Sequence, residues 1–258
     1  MAYVRVLGAY GGKYAHKHTT AFRIGEALMI DAGNLIGGLG NDSRKVRHIF
    51  LTHAHFDHII DIPFLVDSLF SELEDSITIH ALPHTIKSIR THLMNDELWP
   101  DFSKLHLPSN GAPAVVYHEI DYGITYNVGC YSLTPVQANH IVPTCGYIVE
   151  CDGAALMLSG DTYVHDGIAE TINSDPRISV LMLEVSFPSH MAKIAKDSKH
   201  LTPELAAGII RQITRSDVQI CFYHMKPAYR SEIESELKAL LKGVNYRVLD
   251  DYEVIEYG

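Results

Sequence analysis

Short apolar runs separated by turn residues dominate the chain, and they predict a protein rich in β-strands. Apolar residues also recur at helical spacing in a few longer segments, and Thr202 followed by Pro203 is a good start signal for one of these helices. Strands prevail in both halves with helices between them, which favours a two-sheet sandwich with helices outside over a regular parallel βαβ winding. The predicted strands are 2–8, 21–24, 27–31, 46–51, 77–81, 114–120, 125–128, 131–136, 146–150, 154–158, 180–184, 218–222 and 246–248, and the predicted helices are 59–70, 84–94, 203–212 and 232–241.

Composition is that of an ordinary soluble globular protein. The chain has 258 residues, 47% of them apolar and 20% charged, which is enough for one large domain over 1–258 with a substantial core. No apolar run approaches the roughly 18 residues of a membrane span, and the N-terminus lacks the pattern of a signal peptide. The four cysteines show neither metal-finger nor redox spacing. We therefore expect reduced, mostly buried cysteines and a cytoplasmic protein without a membrane partner.

Charge and histidine content narrow the possible functions. The net charge of −10 argues against extensive electrostatic binding to a nucleic-acid backbone, so we do not expect nucleic acid as a partner. A small phosphate substrate stays possible, because bound metal ions can reverse the sign of the charge locally. The 16 histidines are well above ordinary usage.

The strongest chemical signal is the string Thr-His-Ala-His-Phe-Asp-His, which directly follows the apolar run 46–51. His53, His55, Asp57 and His58 place three imidazoles and one carboxylate at a strand end. These ligand types suit zinc and similar divalent ions, and their alternation lets one short loop serve two ions. The alternative is a polar surface loop that happens to be rich in histidine.

Three later positions could complete a two-metal site. His140, Asp161 and His224 each follow an apolar run, where a strand end can direct a side chain into a common cleft. Taken alone, each is more often a buried or rim residue than a metal ligand. Together with the histidine-rich loop, they predict a dinuclear centre.

The order of these residues resembles the metallo-β-lactamase superfamily: HxHxDH, then His, then Asp, then His. The early element Ile30-Asp31-Ala32-Gly33 is similar too, so the resemblance covers nearly the whole chain. It implies an α+β fold, an αββα sandwich of two mixed β-sheets flanked by helices, with the site at one edge. Carried over by position, it implies His53, His55 and His140 for one ion, Asp57, His58 and His224 for the second, and Asp161 bridging both.

Two positions separate this chain from some branches of the superfamily. The bridging position is Asp161 rather than the Cys of the secreted lactam-cleaving branch. The second loop position is His55 rather than the acidic residue of the diiron oxygen-reducing branch. The resemblance therefore implies a hydrolase with two divalent ions, of which zinc is the first choice and manganese or iron are alternatives.

Downstream motifs resemble the class II cyclic-nucleotide phosphodiesterases. These are Glu-x-Ser-Phe-Pro from Glu184, Ser-x-His-Leu-Thr-Pro around His200, and Glu-Leu-Trp-Pro-Asp-Phe at 97–102. The resemblance implies that His200 donates a proton to the leaving group and Glu184 orients it, with Asp57 also counted as catalytic. Phe56 departs from the Leu usual in that family. The expected substrate is a cyclic nucleotide, cleaved to the 5′-monophosphate.

Other functions stay open. The tRNA 3′-end processing endonuclease shares the metal set, but it carries an arm between the positions of His140 and Asp161, and here only 20 residues lie between them. A thioester or lactone hydrolase, or a metal-binding module that binds a nucleotide without cleaving it, would also fit the ligands. A homodimer is possible for a chain of this size.

Several residues carry two interpretations each. His200 could be a helix-capping or packing residue, and Glu184 a solvated strand end. Trp99 is expected to be a core or dimer-interface anchor rather than a platform for a base, and Lys226 either neutralises phosphate or is solvated. Four further residues are predicted near ligands or at the surface: Asn139 and Thr162 as hydrogen-bond partners of ligands, and His16 and His18 as surface or rim residues.

Overall fold

Strands and helices alternate along residues 2–258, the part of the chain that the computed structural model describes. The strands are β1 (Ala2–Gly8), β2 (Ala21–Ile24), β3 (Leu28–Ile30), β4 (His48–Phe50), β5 (Ile77–Ala81), β6 (Val115–Glu119), β7 (Tyr126–Val128), β8 (Tyr131–Gln137), β9 (Cys145–Cys151), β10 (Ala154–Leu158), β11 (Ile178–Glu184), β12 (Gln219–Tyr223), β13 (Tyr246–Val248) and β14 (Val254–Tyr257). The α-helices are α1 (Leu35–Leu39), α2 (Phe56–Ile59), α3 (Asp61–Leu69), α4 (Pro83–His92), α5 (Gly167–Ser174), α6 (Ala192–Ser198), α7 (Pro203–Ile210) and α8 (Arg230–Leu240).

The strands of the described chain form two mixed sheets. The first has the order β14-β1-β2-β3-β4-β5-β6 and the second the order β13-β12-β11-β10-β9-β8-β7. In the first sheet the pairs from β3 to β6 are parallel, and in the second those from β10 to β13 are parallel. The remaining pairs are antiparallel. Parallel strands run in the same direction, so in each sheet the carboxyl ends of several neighbouring strands lie side by side.

Three apolar layers hold the sandwich together. Residues such as Leu156 and Met182 lie between the sheets, while Met157 and Leu181, their neighbours in sequence, pack under the helices of the second sheet. The outer face of the first sheet is covered by α1, α3 and α4. Because both faces of each sheet are buried, its central strands read as continuous apolar runs rather than alternating ones. This arrangement confirms the expected αββα sandwich.

Most predicted elements are confirmed, with shifts of one to a few residues at their ends. Thr202 caps α7 as expected, since its side chain accepts a hydrogen bond from the Leu205 amide. The apolar pattern did not predict β14, α1, α5 and α6, nor α2 apart from its last residue, Ile59. These segments are short, and α6 buries little more than Ala195, so their apolar pattern is too brief to predict them.

No helix in residues 2–258 combines the length and the apolar character that crossing a membrane would require.

The turn after β3 packs directly against the histidine-rich loop. The amide of Gly33 donates to the Thr20 carbonyl at 2.9 Å, and that of Ala32 donates to the His58 carbonyl at 2.6 Å. A Cβ atom at Gly33 would lie 2.1 Å from the carbonyl oxygen of Asp57. Glycine is therefore needed at this position because two backbone segments approach too closely for a side chain.

We expect Gly33→Ala to lower the free energy of unfolding by about 1–3 kcal/mol, the usual range for overpacking a tight contact. Urea denaturation of both proteins measures the difference. Gly208→Ala is the matched control, since a Cβ atom there would meet nothing within 4 Å. Gly208 lies within α7, so alanine should stabilise the protein by up to about 1 kcal/mol. Unchanged stability of Gly33→Ala would contradict the close approach.

Candidate metal centre

The candidate ligands lie where strands of both sheets end. The histidine-rich loop follows β4 of the first sheet. His140, Asp161 and His224 follow β8, β10 and β12 of the second sheet, and Glu184 is the last residue of β11. Strand ends of the two sheets thus face each other across one edge of the sandwich, which is where side chains from distant parts of the chain can meet.

The first group consists of His53, His55, His140 and Asp161. One possible ligand atom from each lies within 4.8 Å of those of the others. His140 Nε2 is 3.3 Å from His55 Nδ1, and His53 Nε2 is 3.7 Å from Asp161 Oδ2. The structure therefore brings together the three imidazoles expected for one ion and the carboxylate expected to bridge.

The second group consists of Asp57, His58 and His224, whose possible ligand atoms again lie within 4.8 Å of one another. His58 Nε2 and His224 Nε2 are 3.2 Å apart, and His224 Nε2 is 3.5 Å from Asp57 Oδ2. Two nitrogens bound to one tetrahedral zinc ion at about 2.0–2.1 Å would lie about 3.4 Å apart. The spacing therefore fits ligands of a shared ion.

Asp161 lies between the two groups. Its Oδ2 is 3.7 Å from His53 Nε2 in the first group and 3.4 Å from His58 Nε2 in the second. Its Oδ1 is 3.3 Å from His224 Nε2. The carboxylate is almost fully buried. Its position is the one that a bridging ligand requires.

Unpaired polar atoms in this cluster fit a bound metal. Among the described residues, His53 Nε2 and Asp161 Oδ1 are buried without a hydrogen-bond partner. A buried polar atom left unpaired costs about 1–3 kcal/mol. Ligation to a divalent cation would satisfy both atoms, and imidazole nitrogen with carboxylate oxygen is a donor set that zinc accepts.

Hydrogen bonds to the Nδ1 atoms turn the free Nε2 atoms toward the centre. His58 Nδ1 lies 2.7 Å from Asp31 Oδ2, and His140 Nδ1 donates to the carbonyl oxygen of Lys199 at 3.0 Å. His224 Nδ1 lies 2.9 Å from Ser186 Oγ. A ligand histidine held in this way keeps both its ring orientation and its tautomer.

Asp31 supports a second histidine through Thr52. The Thr52 hydroxyl donates to Asp31 Oδ2 at 2.9 Å, so it accepts from His53 Nδ1, which lies 3.0 Å away. The Thr52 amide also donates to Asp31 Oδ1 at 2.9 Å. Asp31 is fully buried and adopts the left-handed conformation with φ 57°. One carboxylate therefore orients both His53 and His58.

Electrostatics favour a cation in this cluster. Burial lowers the pKa of His53 well below its usual value and that of His140 to about 4, which keeps both in the neutral form that binds metal. At His58 burial acts in the same direction, but the neighbouring carboxylates, led by Asp161, outweigh it and raise the pKa well above its usual value. The buried carboxylates therefore attract positive charge, which metal ions would supply.

Glu184 and His200 form a buried pair beside the centre. His200 Nδ1 donates to Glu184 Oε1 at 2.8 Å, and a ring nitrogen of His200 lies within 4.8 Å of ligand atoms of Asp161 and His224. Burial disfavours the charged imidazole, but Glu184 outweighs this and raises the pKa of His200 above its usual value. Glu184 is buried, so the alternative of a solvated strand end is wrong.

Other residues singled out in the sequence have different surroundings. Within residues 2–258, neither Asn139 nor Thr162 forms a hydrogen bond with a ligand imidazole. The backbone amide of Asn139 instead donates to Thr162 Oγ1 at 3.0 Å, and the backbone amide of Thr162 donates to Glu184 Oε1 at 3.1 Å. They connect the loop after β8 to Glu184. The two residues therefore support a side chain beside the candidate centre, whereas the prediction was that they bind the ligands themselves.

Lys226, Trp99 and the two N-terminal histidines also have defined positions. Lys226 Nζ donates to the Gly11 carbonyl, and Trp99 packs edge-on against Phe64 with 5.1 Å between ring centroids. His16 is exposed, as expected. His18 Nδ1 is bound to Asp251 Oδ2 at 2.8 Å, away from the candidate ligands.

No role was predicted for Asp31, Thr52 or Ser186, and Asp31 was singled out only as part of a strand-and-turn element. The sequence signal for Asp31 is that it directly follows an apolar run, as the histidine-rich loop does. The structure shows why this matters: β3 pairs in parallel with β4, so the residues after both strands lie side by side. Ser186 had no such signal, since its contacts depend on the path of the loop after β11.

Two hollows flank the centre. The larger, about 880 Å³, is lined by His140, Asn139 and Lys199 among others. The smaller, about 240 Å³, is lined by His55 and Phe56 and by residues of α4. Val142 borders both. A substrate held at the centre would therefore have room on two sides.

Comparisons with known proteins agree with the fold. A sequence model of the beta-lactamase superfamily domain matches residues 34–225. The chain is 23% identical over 283 aligned residues to Ribonuclease Z of Bradyrhizobium sp. (strain ORS 278), with 89% of both chains covered. Among solved structures, yeast PDE1 superposes with a TM-score of 0.81 at 15% sequence identity. The short form of human tRNase Z superposes with a TM-score of 0.71 at 17% identity. Each superposition covers 98% of this chain and 98% of the other protein. The structural matches show the fold alone, while the ribonuclease relative does not support the expectation that nucleic acid is an unlikely partner.

We expect Asp31→Asn to weaken metal binding by roughly 10–100-fold, the usual effect of losing a partner that orients a metal ligand. The amide loses the charge that holds His58 and cannot accept from all three present donors. Competition with a chromogenic chelator measures the affinity, and thermal melting checks the fold. Asp42→Asn is the control, since Asp42 is an exposed carboxylate that pairs with Arg23 and belongs to neither ligand group. Wild-type affinity in a folded Asp31→Asn protein would show that Asp31 does not orient the ligands.

Proposed function

We propose that this chain, which belongs to the β-lactamase superfamily, forms one hydrolase domain that cleaves phosphodiester bonds with two divalent metal ions. The observation that carries the proposal is the buried Glu184–His200 pair beside Asp161. Such a pair supplies a proton donor next to the metal cluster, which hydrolysis of an ester with a poor leaving group requires.

The proposed ligands follow the two groups of side chains. Imidazoles predominate in both groups, and carboxylates supply the remaining donors, which is why zinc is our first choice and manganese or iron are alternatives. We assign His53, His55 and His140 to one ion, Asp57, His58 and His224 to the other, and Asp161 to both.

The chain's own residues would then share the catalytic work. Two bound ions would supply a water with its pKa lowered to about 7 and would offset the charge of the phosphate. Asp57 is the partly exposed member of the second group, with 24% of its side chain accessible, and we assign it a catalytic part in addition to ligation. His200 in its charged form would give its proton to the leaving oxygen. Glu184 holds the Nδ1 side of the ring, so that the other nitrogen is free for this transfer.

The curated relatives favour RNA as the substrate. The named relative from Bradyrhizobium is a ribonuclease, and its match extends over most of both chains. A second relative, Ribonuclease Z of Bacillus subtilis, is 25% identical over 247 aligned residues. We therefore keep processing of tRNA 3′ ends as a candidate function, and this reading has better support from the relatives than the cyclic-nucleotide reading.

A small cyclic nucleotide is the second candidate, and a feature of the fold favours it. β9 and β10 pair from Cys151 and Ala154 onward, so only Asp152 and Gly153 connect them. This leaves no room for an RNA-gripping arm between His140 and Asp161. The net charge of −10 also disfavours many phosphate contacts.

We expect His200→Ala to retain its metals but to lose roughly 10²-fold or more in turnover of substrates with alkoxide leaving groups. Substrates that release p-nitrophenolate hardly need a proton, so their loss should be much smaller. Steady-state kinetics on both kinds of substrate, with metal analysis of the variant, measures this difference. His190→Ala is a control, since His190 is an exposed histidine. Equal losses on both substrates would indicate a structural role for His200.

We expect the protein to hydrolyse phosphodiesters only with metal bound, and the preferred substrate decides between the two candidates. The measurement is kcat/KM for cyclic AMP, cyclic GMP and a precursor tRNA, before and after treatment with EDTA and readdition of zinc or manganese. Cleavage of tRNA should weaken steeply with salt, whereas a small substrate should respond little. Full activity after metal removal, or turnover of none of these substrates, would overturn the proposed function.

A further inference from the structure

Phe56 is an exposed aromatic residue inside the metal-ligand loop. It lies between His55 and Asp57, and 58% of its surface is accessible. Single exposed apolar residues are common and need no explanation on their own. Phe56 differs because both of its neighbours in sequence belong to the candidate metal centre, and because it lines the same hollow as one of them, His55.

The smaller of the two hollows begins at this ring, and we call it the Phe56 hollow. Its apolar wall is formed by Phe56, Ile59 and Leu93, and it shares His55 with the metal centre. At about 240 Å³ it is smaller than the roughly 300–1,000 Å³ of pockets that enclose a whole drug-sized ligand. It therefore suits one ring system of a substrate whose remaining part stays outside.

Polar groups of α4 complete the Phe56 hollow. His84, Ser88 and His92 line it. Imidazole and hydroxyl groups can each donate or accept hydrogen bonds, which suits the mixed donors and acceptors on the edge of a nucleobase. An apolar ring face next to a polar edge is the combination that proteins use to hold a base.

Resting on the proposed phosphodiesterase function, we propose that the Phe56 hollow binds the nucleobase of the substrate, with the base stacked on the Phe56 ring while its phosphate lies at the metal centre. The proposal holds for a cyclic nucleotide and for the terminal nucleotide of an RNA. It makes Phe56 a specificity-determining residue and does not assign it a part in bond cleavage.

Binding of nucleotides tests the proposal without turnover. Calorimetry with the zinc-loaded protein compares AMP and GMP with ribose 5-phosphate, which carries the phosphate and sugar but no base. We expect the nucleotides to bind more tightly, and Phe56→Ala to weaken their binding by roughly 5- to 150-fold, the usual effect of removing a base–aromatic stack. The affinity for ribose 5-phosphate should change by less than about twofold, because this ligand has no base to stack. Phe56→Tyr retains the ring and should restore nucleotide binding.

Leu98→Ala is the matched control, because Leu98 is equally exposed at 58% and lines neither hollow. It should leave nucleotide affinity unchanged. In kinetics with the nucleotide substrate, Phe56→Ala should raise KM more than it lowers kcat, as expected for a group that binds ground and transition states alike.

Three results would overturn the proposal. The first is that the wild-type protein binds AMP and ribose 5-phosphate with equal affinity. The second is that Phe56→Ala loses affinity for AMP and for ribose 5-phosphate by the same factor. The third is that Phe56→Ala changes the molar mass in solution but leaves nucleotide affinity unchanged. The last result would assign the ring to contact with a second protein chain. Absence of phosphodiester turnover in the wild type would overturn the proposed function instead, while the binding comparison would still test the base site.

Discussion

The buried carboxylate of Asp31 is the constraint on which the candidate metal centre depends. It accepts hydrogen bonds from the Thr52 amide and hydroxyl and lies 2.7 Å from His58 Nδ1. Because Thr52 in turn holds His53, one carboxylate orients an imidazole of each ligand group. Asp31 can do this only in the left-handed conformation that follows β3, a conformation that Asp tolerates better than most residues. Gly33 then lets the same turn lie directly under the backbone of the loop.

The second sheet completes the centre through the parallel strands from β10 to β13. Their ends place Asp161, Glu184 and His224 side by side, although these residues are far apart in the chain. The result is a buried cluster in which imidazoles and carboxylates lie within 4.8 Å and some polar atoms have no partner. Such a cluster would be costly on its own, since charges and unpaired polar atoms are disfavoured in a protein interior. Divalent cations would offset both costs.

If the proposed function holds, the surroundings of the centre and not the centre itself would decide the choice of substrate. The ligand set and the Glu184–His200 pair suit any phosphodiester with a poor leaving group. The β9–β10 hairpin, the hollow beside Phe56 and the larger hollow beside Lys199 set what else can be bound. The curated relatives and the short hairpin favour different substrates, and a base site at Phe56 would be compatible with either, because both carry a nucleobase next to the phosphate.

The order of the ligands along the chain was enough to predict the residues that the structure brings into the two groups, because each ligand follows an apolar run directly. The αββα sandwich was predicted through the resemblance that this order carries, since the strand pattern alone leaves the fold ambiguous. How the ligands are oriented could be seen only in the folded chain. The roles of Thr52, Ser186 and the Lys199 carbonyl depend on contacts between segments distant in sequence, which no local pattern records. The same reason applies to Phe56, because the hollow beside it is lined by residues of both α2 and α4, which are distant in sequence.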